Sequence, residues 1–383
     1  MRRDLFEPEH DEYRRSIRAF LTRAVVPHYA AWERDGITPR SLFADLGELG
    51  AFGFDVEEKH GGTGVHDLRF NAILAEEACA LAVYPAVVGS TLQADVVIPY
   101  LVGLTTEEQR DRWLPGVVAG TTVTAIAMTE PGTGSDLAGI RTRAVRDGDD
   151  YVLNGSKTFI TNGINADLVV VAARTGTDPH RGLSLFVVER GMAGFERGRR
   201  LEKIGLHAQD TVELSFDDVR VPVANRLGDE GDGFTGLTRN LARERLSVAI
   251  AAMATTRWAI AVTNEYVRQR HAFGQPLAAL QTVRHRLAEL DTEADLGTLL
   301  VDRSIRDHNA GELSHVDAAK AKWWTTELQG RALDAGVQLH GGYGFMQEYP
   351  IARVWADARV SRIYGGTTEI MKEIIGRDIL SAG

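Results

Sequence analysis

Strand patterns crowd the middle of this chain, from about Gly120 to Val223, between two long stretches that carry only helical spacing. That order admits few architectures, because a strand-rich block must bury its own face while the flanking helices pack among themselves or over it. The strand-like runs are Val123–Thr129, Arg141–Val145, Tyr151–Ile160, Asp167–Ala172, Ser184–Val188 and Thr211–Val219, with Asp147-Gly148 as a hairpin signal. Before them, Asp11 to Trp32 places Ile17, Phe20, Leu21 and Val25 at helical spacing, and helices are expected over Ser41–Leu49, Asp67–Cys79, the Ala/Val-rich stretch to Leu101, and Gln109–Leu114 behind a cap at Thr105-Thr-Glu-Glu108. After Gly233 the expected helices are Phe234–Gln269, Leu280–His308, Val316–Gln338, Ile351–Ile363 and Thr367–Ile379, lengths that suit a helical bundle. The reading is multidomain α+β: an N-terminal helical domain (1–119), a central β-barrel-like domain (120–226) and a C-terminal four-helix bundle (227–383).

At 383 residues the chain is long enough for more than one domain. Its net charge of −10 gives no global attraction to nucleic acid or anionic lipid, so neither is expected as a partner. A single cysteine, Cys79, excludes an intrachain disulfide and a thiolate metal cluster. The opening residues turn acidic at once and lack the apolar core of a secretory signal, and no apolar run approaches membrane-spanning length. A cytoplasmic location is expected. The histidines are scattered, none at ligand spacing with a second ligand on one face, and no metal is expected.

Ala127-Met-Thr-Glu-Pro-Gly-Thr-Gly-Ser-Asp136 runs from a strand into a turn whose glycines let backbone approach a ligand closely. Phe159-Ile-Thr-Asn-Gly163 ends the next hairpin with an aromatic face and a hydroxyl two residues apart. Together they suit a flat, hydrogen-bonding ring, although the first alone is equally a strand, a turn and a strand. On the helix from Phe234, the residues Leu237, Leu241, Glu244, Val248 and Ala251 share one face, which sets a carboxylate in an apolar stripe. Such an acid has a raised pKa and can take and return a proton, unless it is paired with Arg243, Arg245 or an arginine of another helix. Arg270-His-Ala-Phe-Gly274 could hold a phosphate and stack a base, or could simply end a helix. Gln338-Leu-His-Gly-Gly-Tyr-Gly344 could admit a pyrophosphate or be an interhelical turn. Ile363-Tyr-Gly-Gly-Thr-Thr-Glu369 offers free amides at a helix start, with Thr367 or Gly366 as the cap and Glu369 complementing the dipole.

These five motifs, in this order and over nearly the whole chain, resemble the acyl-CoA dehydrogenase family of flavoproteins. The resemblance implies non-covalent FAD, a homotetramer or dimer, and an electron-transfer flavoprotein as electron acceptor. It places the flavin ring against Ile126, Met128, Thr129, Ser135, Phe159, Ile160 and Thr161, with Thr161 facing N5. Thr367 and Glu369 would also contact FAD, while Arg270, Phe273, Gln281, Gln338, Gly341 and Gly342 would reach the cofactor of a neighbouring subunit. Many members carry their catalytic glutamate directly after the tyrosine of the Tyr-x-Gly-Thr motif, where this chain has Gly365. The long-chain and isovaleryl types carry it on the first long bundle helix before Arg-Leu, and Glu244-Arg245-Leu246 matches that pattern. The implied reaction is α,β-dehydrogenation of an acyl thioester: Glu244 takes the α-proton and the β-hydrogen leaves as hydride to flavin N5. Ser135, Arg245, Tyr364, Gly365 and Gly366 would line the substrate, with the Gly365 amide as one donor to the thioester oxygen. Ala242 stands where some relatives have an acid that helps hold CoA.

Three other readings differ in class: a dehydrogenase of acyl groups on acyl carrier protein, a flavin oxidase or monooxygenase of the same fold, and a non-catalytic binding member. Weak CoA binding would mark the first and rapid reoxidation by air the second. The third is opposed by the net charge of −10 and an intact candidate base.

Overall fold

The computed structural model describes residues 3–381. The N-terminal part is helical as expected, but Asp11–Trp32 is not one helix. It runs as Pro8–Phe20, a wider π-helical turn over Leu21–Val25, and Tyr29–Asp35. Pro27 has no N–H to donate and interrupts the ladder between the last two. Tyr84–Leu92, Gln93–Val97 and Ile98–Leu104 form one continuous 21-residue helix, with a π-helical turn at its centre. That turn places the buried Gln93 so that its amide donates to the Val117 carbonyl (3.0 Å) and accepts from the Thr124 N–H (2.9 Å). Helix Glu107–Val118 and the first strand are thereby tied to it. Thr106 caps Glu107–Val118 through a reciprocal box with Gln109.

The expectation that no apolar run reaches membrane-spanning length does not hold. Tyr84–Leu104 and Gly233–Gln269 both contain windows long and apolar enough, with mean hydropathy 1.5 and 1.4. In each window 61 % of the residues are buried against the rest of the protein, so these are core helices whose apolar surface meets other helices.

The central strands are β1 (Thr124–Ala127), β2 (Arg143–Asp147), β3 (Asp150–Thr161), β4 (Leu168–Arg174), β5 (Leu183–Glu189), β6 (Phe195–Arg200), β7 (Thr211–Pro222) and β8 (Arg226–Leu227). They form one sheet in the order β6-β7-β3-β2-β4-β5-β8, with β1 parallel to β4 in the register Ala125–Val169. The central β domain stands as expected, and its sheet ends at β6 and β8 without closing into a full barrel. β4 and β5 are buried on both faces, as their unbroken apolar sequences require. β6 was not anticipated, because Glu-Arg-Gly-Arg-Arg reads as polar loop; it is an edge strand held by β7, with most of its side chains in solvent.

The C-terminal part is built from helices Gly233–Gln269, Gln281–Asn309, His315–His340 and Thr368–Ser381. A short helix, Pro350–Ala358, lies between the last two and gives way to a 3-10 turn at Arg359–Arg362, where one helix to Ile363 was expected. A two-strand hairpin, His271–Ala272 with Gln275–Pro276, joins the first two. The Leu206 N–H donates to the buried Asp357 carboxylate at 2.5 Å, which fastens the β region to the helical one.

Candidate active site

β1 delivers the chain to the loop Met128–Asp136, and that loop is pinned from below. The buried Lys157 donates to the Met128 carbonyl at 3.0 Å and to the Glu130 carboxylate at 2.9 Å. Glu130 in turn accepts the N–H groups of Arg141 and Thr142, each at 2.8 Å. The Thr158 N–H donates to the Thr129 carbonyl at 2.9 Å, so the end of β3 lies beside the loop. Phe159 stands on that end at φ +62° and is 67 % exposed. A bulky residue in the left-handed region is an outlier that its surroundings must impose. Asn162, at φ +62° and buried, supplies part of that constraint by donating to the Gly89 and Thr124 carbonyls at 2.9 and 3.0 Å. Ile126, Met128, Thr129 and Thr161 are half-buried, Ile160 is buried, and Ser135 is exposed beside them.

The segment Tyr364-Gly365-Gly366 lies against the helix Gly233–Gln269, with Gly365 next to Val248. Both glycines have positive φ, +66° and +96°, which favours glycine over any residue with a side chain. Two buried cations hold their carbonyls: Lys322 donates to Gly366 at 2.6 Å and Arg245 to Gly365 at 3.4 Å. Burial pulls the Lys322 ammonium down to about 8, helped by the nearby Arg245 charge. The Thr367 hydroxyl accepts the Ile370 N–H, so it does cap the last helix. Glu369 is exposed one turn away.

Glu244 is 7 % exposed on the long helix, with Leu237, Val248 and Ala251 buried on the same face. No arginine closes an ion pair with it among the described residues. Arg243 turns instead to Asp55 at 2.5 Å, and Arg245 bonds the Gly365 carbonyl rather than reaching toward solvent. The hydrogen-bonding partner of Glu244 is the Tyr100 hydroxyl, which donates to its Oε1 at 2.9 Å. Burial raises the Glu244 carboxyl to about 7, against the opposing pull of Tyr100 and the Arg245 charge. That is the range in which a carboxylate can take a proton and release it again. A cavity of about 30 Å³ opens next to Val248, one helical turn from Glu244, and is lined there by Cys79, Tyr84, Ala251 and Tyr364.

Arg270, Phe273, Gln281, Gln338, Gly341 and Gly342 are all exposed. Phe273 is 92 % exposed at φ +53°. A cavity of about 450 Å³ is lined by Tyr266, Arg270, His340, Gly341, Gly342 and Tyr343. A Cβ added at either glycine would meet nothing within 4 Å, so backbone is open to a ligand there. The loop and the end of β3 meet through Thr129 and Thr158, Glu244 and Tyr364–Gly366 share the helix Gly233–Gln269 through Arg245 and Val248, and Arg270, Gly341 and Gly342 line one open cavity.

Two site residues, Tyr100 and Lys322, carried no sequence signal, since each acts through a contact across the fold. Lys157 sits mid-strand, where it reads as a solvent-facing residue. The structure also draws together His60, Glu107 and Asp111, which are distant in sequence. The two ring nitrogens of His60 face different carboxylates, at 3.4 and 3.3 Å, and Lys59 already pairs with Glu107.

Family models cover almost the whole chain. Residues 7–121 match the N-terminal domain of acyl-CoA dehydrogenase, 125–219 its middle domain and 231–380 its C-terminal domain. The mitochondrial long-chain specific acyl-CoA dehydrogenase of Sus scrofa is 47 % identical over 99 % of this chain and 88 % of that protein. A crystal structure of an acyl-CoA dehydrogenase from Geobacillus kaustophilus superposes with a TM-score of 0.95 at 50 % identity, covering 98 % of each chain. An acyl-CoA dehydrogenase from Bacillus anthracis, solved in complex with FAD, superposes with a TM-score of 0.90 at 29 % identity over 98 % of this chain and 68 % of that one.

Proposed function

The chain belongs to the acyl-CoA dehydrogenase family and catalyses FAD-dependent dehydrogenation of acyl-CoA, and on that footing we propose that it acts on long-chain acyl-CoA with Glu244 as the base. The observation that carries the role of Glu244 is its placement. It is a buried carboxylate without an ion-pair partner among the described residues, held by one hydroxyl, on the same side of the bundle as the Tyr364–Gly366 segment. The similarity to the long-chain specific enzyme supports the chain length.

The residues present fit FAD. Exposed Phe159 with Thr161 offers an aromatic face and a hydroxyl, and the open backbone at Gly341–Gly342 beside Arg270 suits a pyrophosphate. Bound FAD supplies the acceptor for the β-hydrogen, which leaves as hydride. Met128 to Ser135 and Phe159 to Thr161 would hold the ring, with Thr367 and Glu369 also on the cofactor. Lys157 and Glu130 keep that loop in place.

On the protein's side, Glu244 removes the α-proton and its carboxyl keeps it. The electron pair left on the α-carbon spreads onto the thioester oxygen, which needs a donor aimed at it. The Gly365 amide would be that donor, and the hold of Arg245 and Lys322 on the Gly365 and Gly366 carbonyls supports this reading. Tyr364 and Ser135 would flank the acyl thioester. The half-site of Arg270, Phe273, Gln281, Gln338, Gly341 and Gly342 would complete the cofactor site of another copy, which makes the active protein a homo-oligomer. We further propose a cytoplasmic location and reoxidation by an electron-transfer flavoprotein. Steady-state assays with acyl-CoAs of graded length test the substrate. A preference for short chains, or a response only to acyl carrier protein thioesters, would overturn that part.

A further inference from the structure

Glu244 has two carboxylate oxygens, and the fold treats them differently. Oε1 accepts the Tyr100 hydroxyl at 2.9 Å. Tyr100 itself is fully buried on the helix Ile98–Leu104, in a position set by packing rather than by solvent. Its hydroxyl has the Leu237 carbonyl as a second acceptor at 3.4 Å and a hydrogen bond with the Asn240 side chain. The tyrosine oxygen is therefore held by the Asn240 side chain on one turn of the long helix, and its single proton goes to Glu244 on the next, shared only weakly with the Leu237 carbonyl.

We propose that Tyr100 is a positioning residue for the reaction: it anchors Oε1 of Glu244 and so leaves Oε2 as the oxygen that bonds the α-proton. The inference rests on Glu244 being the base. In the step itself the Cα–H bond breaks, its proton bonds Oε2, and the electron pair remains with the substrate as the enolate. The Tyr100 proton stays on the tyrosine throughout. A hydrogen bond to Oε1 favours the charged carboxylate over the acid, so it keeps the base ionised at a lower pH than burial alone would allow. The other groups facing Glu244 do not replace it. The Arg245 charge also lowers the carboxyl, but its guanidinium bonds the Gly365 carbonyl and Arg243 bonds Asp55, so neither anchors Oε1. A carboxylate without this anchor would also turn about its last bond and present either oxygen, which loosens the alignment that proton transfer needs.

The test is Tyr100→Phe, which keeps the ring and removes only the hydroxyl. The pH profile of kcat/KM for an acyl-CoA is measured beside the parent and Glu244→Gln. The acid limb is expected to move up by about one pH unit, from the loss of a hydrogen bond to a charged group. At pH 6 the rate falls about tenfold and at pH 9 much less, with flavin content unchanged. A profile that drops equally at every pH, or does not change, overturns the proposal. Glu244→Gln separates the two claims: if it remains active, the base is elsewhere and the reading of Glu244 fails, whatever Tyr100 does. Should Tyr100→Phe bind flavin poorly, a double-mutant cycle of Tyr100→Phe with Glu244→Gln in urea denaturation at pH 8 decides instead. Additive effects there would mean that the two side chains are not coupled, and would equally overturn the proposal.

Discussion

Lys157 and Glu130 form an ion pair of 2.9 Å in which neither side chain is more than 7 % exposed. Burial pulls the Lys157 ammonium down to about 8, while burial of Glu130 is outweighed by the Lys157 charge and two backbone amides, which hold its carboxyl below the ordinary range. Because the same ammonium bonds the Met128 carbonyl and the same carboxylate holds Arg141 and Thr142, the pair closes both ends of the loop proposed to cradle the flavin. Lys157→Met strands a buried carboxylate. It should cost about 3–5 kcal/mol of stability and release flavin, read by urea denaturation and by flavin fluorescence after gel filtration. A variant that keeps both would show that the loop does not depend on the pair.

Glu244 gives a prediction about stability that opposes its role in catalysis. Its carboxyl is raised from 4.5 to about 7 in the fold, so its contribution to stability is fully present below pH 4.5 and is lost as pH rises through 7. Glu244→Gln removes that loss. The variant should be more stable than the parent at pH 8, by up to about 3 kcal/mol, with the difference shrinking toward pH 4.5. Urea denaturation at both pH values checks the sign.

The position after Tyr364 should accept a base of its own. A Cβ added at Gly365 meets only a Val248 methyl at 3.7 Å, although φ of +66° makes any side chain there strained by about 1–2 kcal/mol. Added to Glu244→Gln, the second substitution Gly365→Glu should restore dehydrogenation by about tenfold to a hundredfold over the single variant. No recovery in a folded, flavin-loaded protein would show that this backbone aims a side chain away from the α-carbon.

Arg270 and Phe273 are the test of the half-site. Both are exposed in the single chain, so Arg270→Gln and Phe273→Ala should leave the stability of the flavin-free protein unchanged. Each should weaken flavin binding by about tenfold, the cost of losing a charged hydrogen bond or a stacked ring. Titration of the apoprotein with FAD reads this directly, and unchanged affinity would remove the half-site from the cofactor.

How much of this was legible in the sequence follows from the range of each interaction. The apolar spacing around Glu244 marked it as an odd carboxylate because helix periodicity is local. Its choice of Tyr100 over Arg243 or Arg245 was not readable, since it depends on a helix 144 positions earlier packing against this one. Phe159 was picked out by residue type, but the left-handed backbone that presents it was not. β4 and β5 were plain from unbroken apolar runs. β6 was hidden by its charges, because an edge strand needs only one neighbour and buries little. Whether the barrel-like domain closes was not readable for a related reason: strand patterns give number and length, while closure depends on pairings between strands far apart in the chain. Lys157 was masked by β-bulges in its pairing with β7, which break simple in–out alternation along β3.

The central claim is that Glu244 starts an FAD-dependent oxidation of long-chain acyl-CoA. The most direct measurement is anaerobic titration of the purified protein with saturated acyl-CoAs of graded length, following the oxidised flavin absorbance. The parent should bleach, most completely with the long chains, and Glu244→Gln should bind the same ligands and bleach at least about a hundredfold more slowly. Bleaching of Glu244→Gln at the parent's rate, or a flavin-loaded parent that no acyl-CoA bleaches, would contradict the account.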